Sequence, residues 1–154
     1  TPDEIVAAIT NPEVVYAFSW WRLGAGEALV ITFTPPQTRY WGLQICDRWF
    51  QSYPERRTNL NDRGVVYEAD GSVRLVLSDG DPGHPNWLDT SGHARGVIQG
   101  RWTECDSHPV PVVRLVKLGD VRRHLPQDVA TVTPEQRDNI LRERRRAYLE
   151  RPQW

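Results

Sequence analysis

Apolar and polar residues alternate through the middle of the chain with a period of two, the pattern of half-buried strands. The run 39–47 is the clearest case. Trp41, Leu43 and Ile45 fall on one face, and Tyr40, Gly42, Gln44 and Cys46 on the other. Residues 14–21 and 28–33 are rich in branched and aromatic side chains and flank Gly24-Ala25-Gly26. They predict a hairpin, closed by Pro35-Pro36 because proline cannot donate to a ladder. Residues 65–69 and 72–78 flank Asp70-Gly71, which supplies the positive φ of a two-residue turn, and predict a second hairpin. Further strands are expected at 94–103 and 110–118.

Two stretches break the period. Thr1-Pro2-Asp3-Glu4 has the grammar of a helix start, with a capping threonine, an early proline and a glutamate to close a capping box. It predicts a short helix over about 2–10 that Asn11-Pro12 stops and that must dock to be stable. Thr133-Pro134-Glu135-Gln136 repeats that grammar before a helix over about 134–150, with Ile140, Leu141, Ala147 and Tyr148 on one stripe. Residues 51–63 are polar and aperiodic, a long connection of the kind that is often functional. No helix separates the central strands, which argues against parallel βαβ units. The expected fold is mainly β: an antiparallel jelly-roll-like sandwich or barrel of about seven or eight strands, with its β-rich core over about 13–125.

Composition narrows this picture. At 154 residues the chain is expected to form a single domain over 1–154, able to bury roughly two-thirds of its unfolded surface. A net charge of -1 gives no bulk attraction to nucleic acid or anionic lipid, and no apolar run is long enough to span a bilayer. With no signal peptide in the opening residues, the expected location is cytoplasmic. The chain has no methionine, not even at its start, so it is read as processed or as a segment of something longer. Cys46 and Cys105 are too few for a disulfide framework, and whether they bond is open. Seven tryptophans will dominate the core and any pocket.

Candidate chemistry gathers in the turn-rich loop 79–93. Asp89 and His93 stand four apart, and on a helical turn they would form the carboxylate–imidazole pair that orients a general base. The plainer reading makes Asp89 a turn cap and His93 a backbone clasp. A metal site from His84, His93, His108 and Asp89 lacks the His-x-His spacing of inward-facing strand ligands, and Cys105-x-x-His108 is only half a zinc motif. No metal is expected, and the absence of phosphate- or dinucleotide-binding glycine patterns calls for no cofactor. Asp47-Arg48-Trp49 and Arg101-Trp102 each set an arginine beside a tryptophan at a strand end. They are candidates for holding an anionic, partly apolar ligand, or edge salt bridges over core tryptophans. The arginines of the last helix are diluted by acids, so a solvated or subunit-facing helix is expected rather than nucleic-acid binding.

Tyr40-Trp41-Gly42-Leu43, Asp47-Arg48-Trp49, Asp70-Gly71-Ser72, the block from Asp81 to His93 and Arg101-Trp102 together resemble the bacterial domain of unknown function 1214, over roughly 14–151. The resemblance implies a jelly-roll-like β structure that often follows a companion, the domain of unknown function 1254. It implies no activity and no catalytic residues. The leading expectation is a module that binds a small molecule or assembles with a companion domain or a second copy. Its ligand-binding candidates are Trp41, Asp47, Arg48, Trp49, Asn86, Trp87, Arg101 and Trp102. The alternative is an enzyme for a small hydrophobic or anionic substrate, with His93 and Asp89 as its acid–base pair. Neither nucleic acid nor membrane is expected as a partner.

Overall fold

The alternating run at 39–47 becomes an inner strand of a two-sheet sandwich. The computed structural model describes residues 6–11, for which only the backbone is considered, and residues 13–152. In chain order the strands are β1 (Val6–Asn11), β2 (Val14–Arg22), β3 (Glu27–Phe33), β4 (Tyr40–Asp47), β5 (Asn59–Asn61), β6 (Val73–Ser78), β7 (Trp87–Asp89), β8 (Arg95–Thr103) and β9 (Val112–Lys117). A 3-10 helix, Leu118–His124, and helix α1, Pro134–Leu149, follow. One sheet has the order β1-β2-β8-β4-β5, the other β7-β6-β3-β9. Neither closes on itself, so the barrel alternative is set aside. Among the described residues no helix is long and apolar enough to cross a membrane.

The inner faces meet in one core. Val15, Trp21, Trp41, Leu43, Ile45 and Trp102 of the first sheet pack on Ile31, Phe33, Leu75, Leu77 and Leu88 of the second. Each such side chain contributes on the order of 1.5–3 kcal/mol by leaving water. The Phe33 ring meets Trp41 edge-on at 5.1 Å and Trp102 at 6.5 Å, the arrangement aromatic quadrupoles favour. Behind the second sheet, Val121 of the 3-10 helix and Leu125 at its end cover Ala28, Val30, Val76 and Val116. Gly96 and Gly100, four apart on the inner face of β8, make room for two indoles. A Cβ at Gly96 would strike the Cys46 carbonyl oxygen and the Trp21 ring, and one at Gly100 the Trp102 ring.

Four expectations are corrected here. Residues 6–11 of the helix expected over about 2–10 form β1 instead, pairing antiparallel with β2, while residues 1–5 lie outside the described residues. Two helical turns are weak alone, whereas a free sheet edge offers every residue a ladder partner. The segments flanking Gly24–Gly26 are not a hairpin, because β2 and β3 belong to opposite sheets. Both carry one apolar face, and stacking those faces buries more than pairing the edges would. Before Asp70-Gly71, residues 65–69 are not a strand. The turn itself forms, with Glu68 N–H donating to Ser72 O at 2.9 Å, but Val66 pairs with the Asn86 side chain instead of a strand. Finally, β6 and β7 run parallel, so the sandwich is not wholly antiparallel. A connection of only eight residues, 79–86, suffices because β7 is three residues long.

Helix α1 starts as its sequence predicts. Gln136 N–H donates to Thr133 Oγ1 at 3.2 Å, and Thr133 N–H to Gln136 Oε1 at 2.9 Å. Its anchor, however, is not the apolar stripe. Ile140 and Leu141 are only half-buried, Ala147 and Tyr148 are exposed, and Arg137 is the buried residue, 3% exposed. Arg137 donates to both Asp81 carboxylate oxygens at 2.7 and 3.2 Å and to His84 O at 2.6 Å, with its guanidinium 5.1 Å from the Trp87 ring. Seven residues on, two turns along the same face, Arg144 donates to Pro54 O at 2.9 Å and to Asn59 Oδ1. The helix is thus held by arginine forks in loop carbonyls.

Removing one partner of a buried ion pair leaves the other uncompensated. Arg137→Ala is expected to lower stability by about 3–5 kcal/mol in urea unfolding. The amides of 134–149 should lose hydrogen-exchange protection before those of β4 and β8. Simultaneous, equal loss in both would refute the anchoring role.

Candidate functional site

The sandwich is closed along one edge and open along the other. At the closed edge, between β4–β5 and β7, Arg57 O accepts from Asp89 N–H at 2.8 Å while Thr58 O accepts from Ile45 N–H at 2.7 Å. One dipeptide therefore bonds to both sheets. Toward the other edge, between β2 and β9, no such stitch is present among the described residues, and the sheets part around an apolar cleft of about 1040 Å³. Its walls include Ala17 and Trp21 of β2, Leu29 and Ile31 of β3, Ile98, Gly100 and Trp102 of β8, and Val113 and Leu115 of β9. Arg22 and Glu27 are its charged residues. Trp21 and Trp102 are buried, and their indole N–H groups have no hydrogen-bond partner among the described residues.

The expected site residues do not gather in one pocket. Trp41 and Trp102 are register partners on the inner faces of β4 and β8, both in the core, and of the two only Trp102 lines the cleft. Arg101 points the other way, 5.7 Å above the Tyr16 ring on the outer face. Arg48 lies 4.7 Å over Trp49, which stands in solvent. Asn86 is buried as a surrogate strand residue: its amide donates to Val66 O at 2.8 Å and Arg74 O at 3.1 Å and accepts from Val66 N–H. Trp87 packs under Arg137 and donates its indole N–H to Ser78 O and Oγ at 3.2 and 3.1 Å.

Asp89 and His93 have separate partners. Asp89 accepts from Arg56 Nε and from Ser91 N–H, both at 2.8 Å. The helical spacing is not realised, because Ser91 (φ 56°) and Gly92 (φ 83°) both turn left-handed and fold the chain into a tight turn. His93 instead stacks on Tyr53, ring centroids 5.4 Å apart, with Nε2 2.9 Å from the Tyr53 hydroxyl. That hydroxyl donates to Asp47 Oδ2 at 2.9 Å. Its single proton is thereby spent, so His93 Nε2–H is the donor and the order is Asp47–Tyr53–His93. Tyr53 sits in the aperiodic stretch 51–63, where only the length of the connection hinted at a role.

Asp47 also organises the turn after β4. Its Oδ1 accepts from Trp49 N–H at 2.7 Å and Gln51 N–H at 3.0 Å, which holds Phe50 at a φ of 63°. A bulky residue pays for that conformation, and the bonds to Asp47 hold it there. Burial pushes the Asp47 carboxyl up. The N–H groups of Gln51 and Trp49, the Tyr53 hydroxyl and the nearby His93 outweigh it, so the carboxyl ionises below the ordinary range. Tyr53, donating to that carboxylate, is raised. Burial lowers His84, whose Nε2–H donates to Arg74 O at 2.9 Å while Nδ1 has no partner among the described residues. Cys46 and Cys105 are free thiols, and burial raises Cys46. Among the described residues no three His, Cys, Asp or Glu side chains are grouped to hold a metal ion.

The family described as "Protein of unknown function (DUF1214)" matches residues 22–98, half of the chain. Two solved structures are similar. An uncharacterized protein from Burkholderia cenocepacia is 36% identical over 71% of this chain, with a TM-score of 0.68. The VPA0106 protein from Vibrio parahaemolyticus is 19% identical over 68% of it, with a TM-score of 0.58, a likeness of fold. The chain spans 31% of each of those two proteins. No curated protein matches the chain.

Two buried groups make stability fall on the acid side, in different windows. His84 has a folded pKa below its unfolded value near 6.5, so its contribution is whole above that pH and lost as the unfolded chain takes up a proton below it. Asp47, also lowered, contributes above about pH 4 and is lost as pH falls through its folded value. Urea titrations across pH should therefore flatten between 7 and 5 in His84→Gln and between 5 and 3 in Asp47→Asn. Unchanged slopes would contradict the assignment.

Proposed function

Because the chain belongs to the DUF1214 family of proteins of unknown function, its role has to be read from its own site, and we propose that it binds an elongated apolar ligand carrying a hydrogen-bond acceptor in the cleft between its sheets. The observation that carries this reading is the pair of buried, partnerless indole N–H groups of Trp21 and Trp102 in an otherwise apolar wall. A buried donor without an acceptor costs about 1–3 kcal/mol, which a carbonyl or carboxylate would recover once the two rings shift to bare their N–H groups to the cleft. The volume of about 1040 Å³ suits a ligand of drug size or a long acyl chain. Gly96 and Gly100 deepen the floor, and the exposed Val113 and Leu115 of β9 give the mouth an apolar lip.

An enzyme using His93 as acid or base is the weaker reading. Asp47, through Tyr53, is its orienting carboxylate rather than Asp89, and His93 does not line the cleft. The jelly-roll-like description, the companion domain and the cytoplasmic location stay with this proposal as expectations.

The test is a titration with a long-chain fatty acid, the alcohol of equal length and the alkane, followed by tryptophan fluorescence. The acid and alcohol should bind saturably and the alkane more weakly. Trp102→Phe keeps the ring and removes the N–H, and should weaken the acid by about tenfold, the worth of one hydrogen bond of about 1.4 kcal/mol, while leaving the alkane unchanged. No saturable binding by the folded protein would end the proposal.

A further inference from the structure

We propose that the outer face of the five-stranded sheet carries a second site, a groove for a carboxylated saccharide centred on Gly42. Two rows of register partners cross this face. One runs Tyr16, Arg101, Gly42, Asn61, and the other Phe18, Gln99, Gln44, Asn59. In the first row Gly42 contributes no side chain, and the gap between Arg101 and Asn61 is the floor of a depression of about 190 Å³. The Tyr40 hydroxyl reaches over that gap, 2.6 Å from where a Cβ at position 42 would stand. The missing side chain at 42 is what admits the Tyr40 hydroxyl, which forms one wall of the depression.

The hydrogen-bonding capacity left over defines the ligand. Asn59 Oδ1 is taken by Arg144, and Asn61 Oδ1 by the N–H groups of Arg63 and Gly64 at 3.1 and 3.0 Å. Both amides therefore keep their NH₂ groups as donors. Gln44 gives one Nε2–H to Cys46 Sγ at 3.5 Å and keeps the other N–H and its carbonyl oxygen. Gln99 keeps both ends of its amide, and Arg101 has no carboxylate partner among the described residues. No acidic side chain lines the groove.

A donor-rich surface with one free guanidinium and a few spaced acceptors fits an anionic ligand that also carries hydroxyls. From β8 to β5, two strand spacings of about 4.8 Å extend these contacts over roughly 10 Å, too wide for a lone phosphate or acetate. Arg101 takes the carboxylate, Gln44 and Gln99 take ring hydroxyls, and the Tyr40 ring offers its face to the sugar C–H groups. The site faces away from the cleft between the sheets and stands independently of it.

Amide-resolved NMR titration of the whole chain with glucuronate and a uronate disaccharide tests this, with glucose, acetate and phosphate as controls. Saturable shifts confined to 40–44, 59–61 and 99–101 are expected for the uronates. Arg101→Ala and Gln99→Ala, both on the outer face, should each weaken binding at least fivefold with an unchanged circular dichroism spectrum. The proposal is overturned if the uronates give no saturable shifts there, if acetate or phosphate matches them, if glucose binds as tightly, or if both variants bind as the parent does.

Discussion

The sandwich depends on one buried dipeptide. Arg57 and Thr58 give their carbonyls to opposite sheets, and the Arg57 guanidinium donates to Trp87 O at 3.1 Å and Pro85 O at 2.7 Å. Burial, with repulsion from Arg137 and Arg144, pushes the Arg57 pKa down to about 10, so it remains a cation at neutral pH. A buried cation is tolerated because its donors find carbonyls in fixed directions. With Arg137 it grips the stretch from Asp81 to Trp87, and the prolines there keep those carbonyls in place. Closing this edge so firmly leaves the other free to stay parted.

This dependence explains which parts of the chain were legible in sequence. Period-two runs reported their own burial: Trp41, Leu43 and Ile45 face the core as their alternation requires. Local helix grammar was equally plain at Thr133–Gln136. What failed was partner choice. The residues around Gly24–Gly26 state that the chain turns, but whether two strands then pair or stack depends on what else covers their faces. Likewise Asp70-Gly71 makes its turn, yet the segment before it is claimed by Asn86, fifteen residues beyond Gly71 in sequence.

The candidate residues divided for the same reason. Asp89 and His93 are close in sequence, and two left-handed residues between them were enough to send each to a different partner. Arg137 and Tyr53 carried no local signal. An arginine on a charged helix reads as solvated, and a tyrosine in an aperiodic stretch reads as loop. Only the tertiary placement of Asp81 and Asp47 gives either a role. Single-residue chemistry is visible from sequence when its partner is also local, and long-range pairs are not.

The tryptophans show what the open edge changes. Trp87, beside the closed edge, is buried with its N–H satisfied twice by Ser78. Trp21 and Trp102 are as deeply buried, yet their N–H groups have no partner among the described residues, and both line the cleft. Burial of the ring is rewarded by its area alike in all three. Of these three indoles, the two with an unmet N–H are the two on the side where the sheets part. A core selected only for packing would tolerate phenylalanine at both positions and avoid the cost of two unmet donors. On the ligand reading proposed above, an acceptor would offset that cost once the rings shift to bare the two N–H groups.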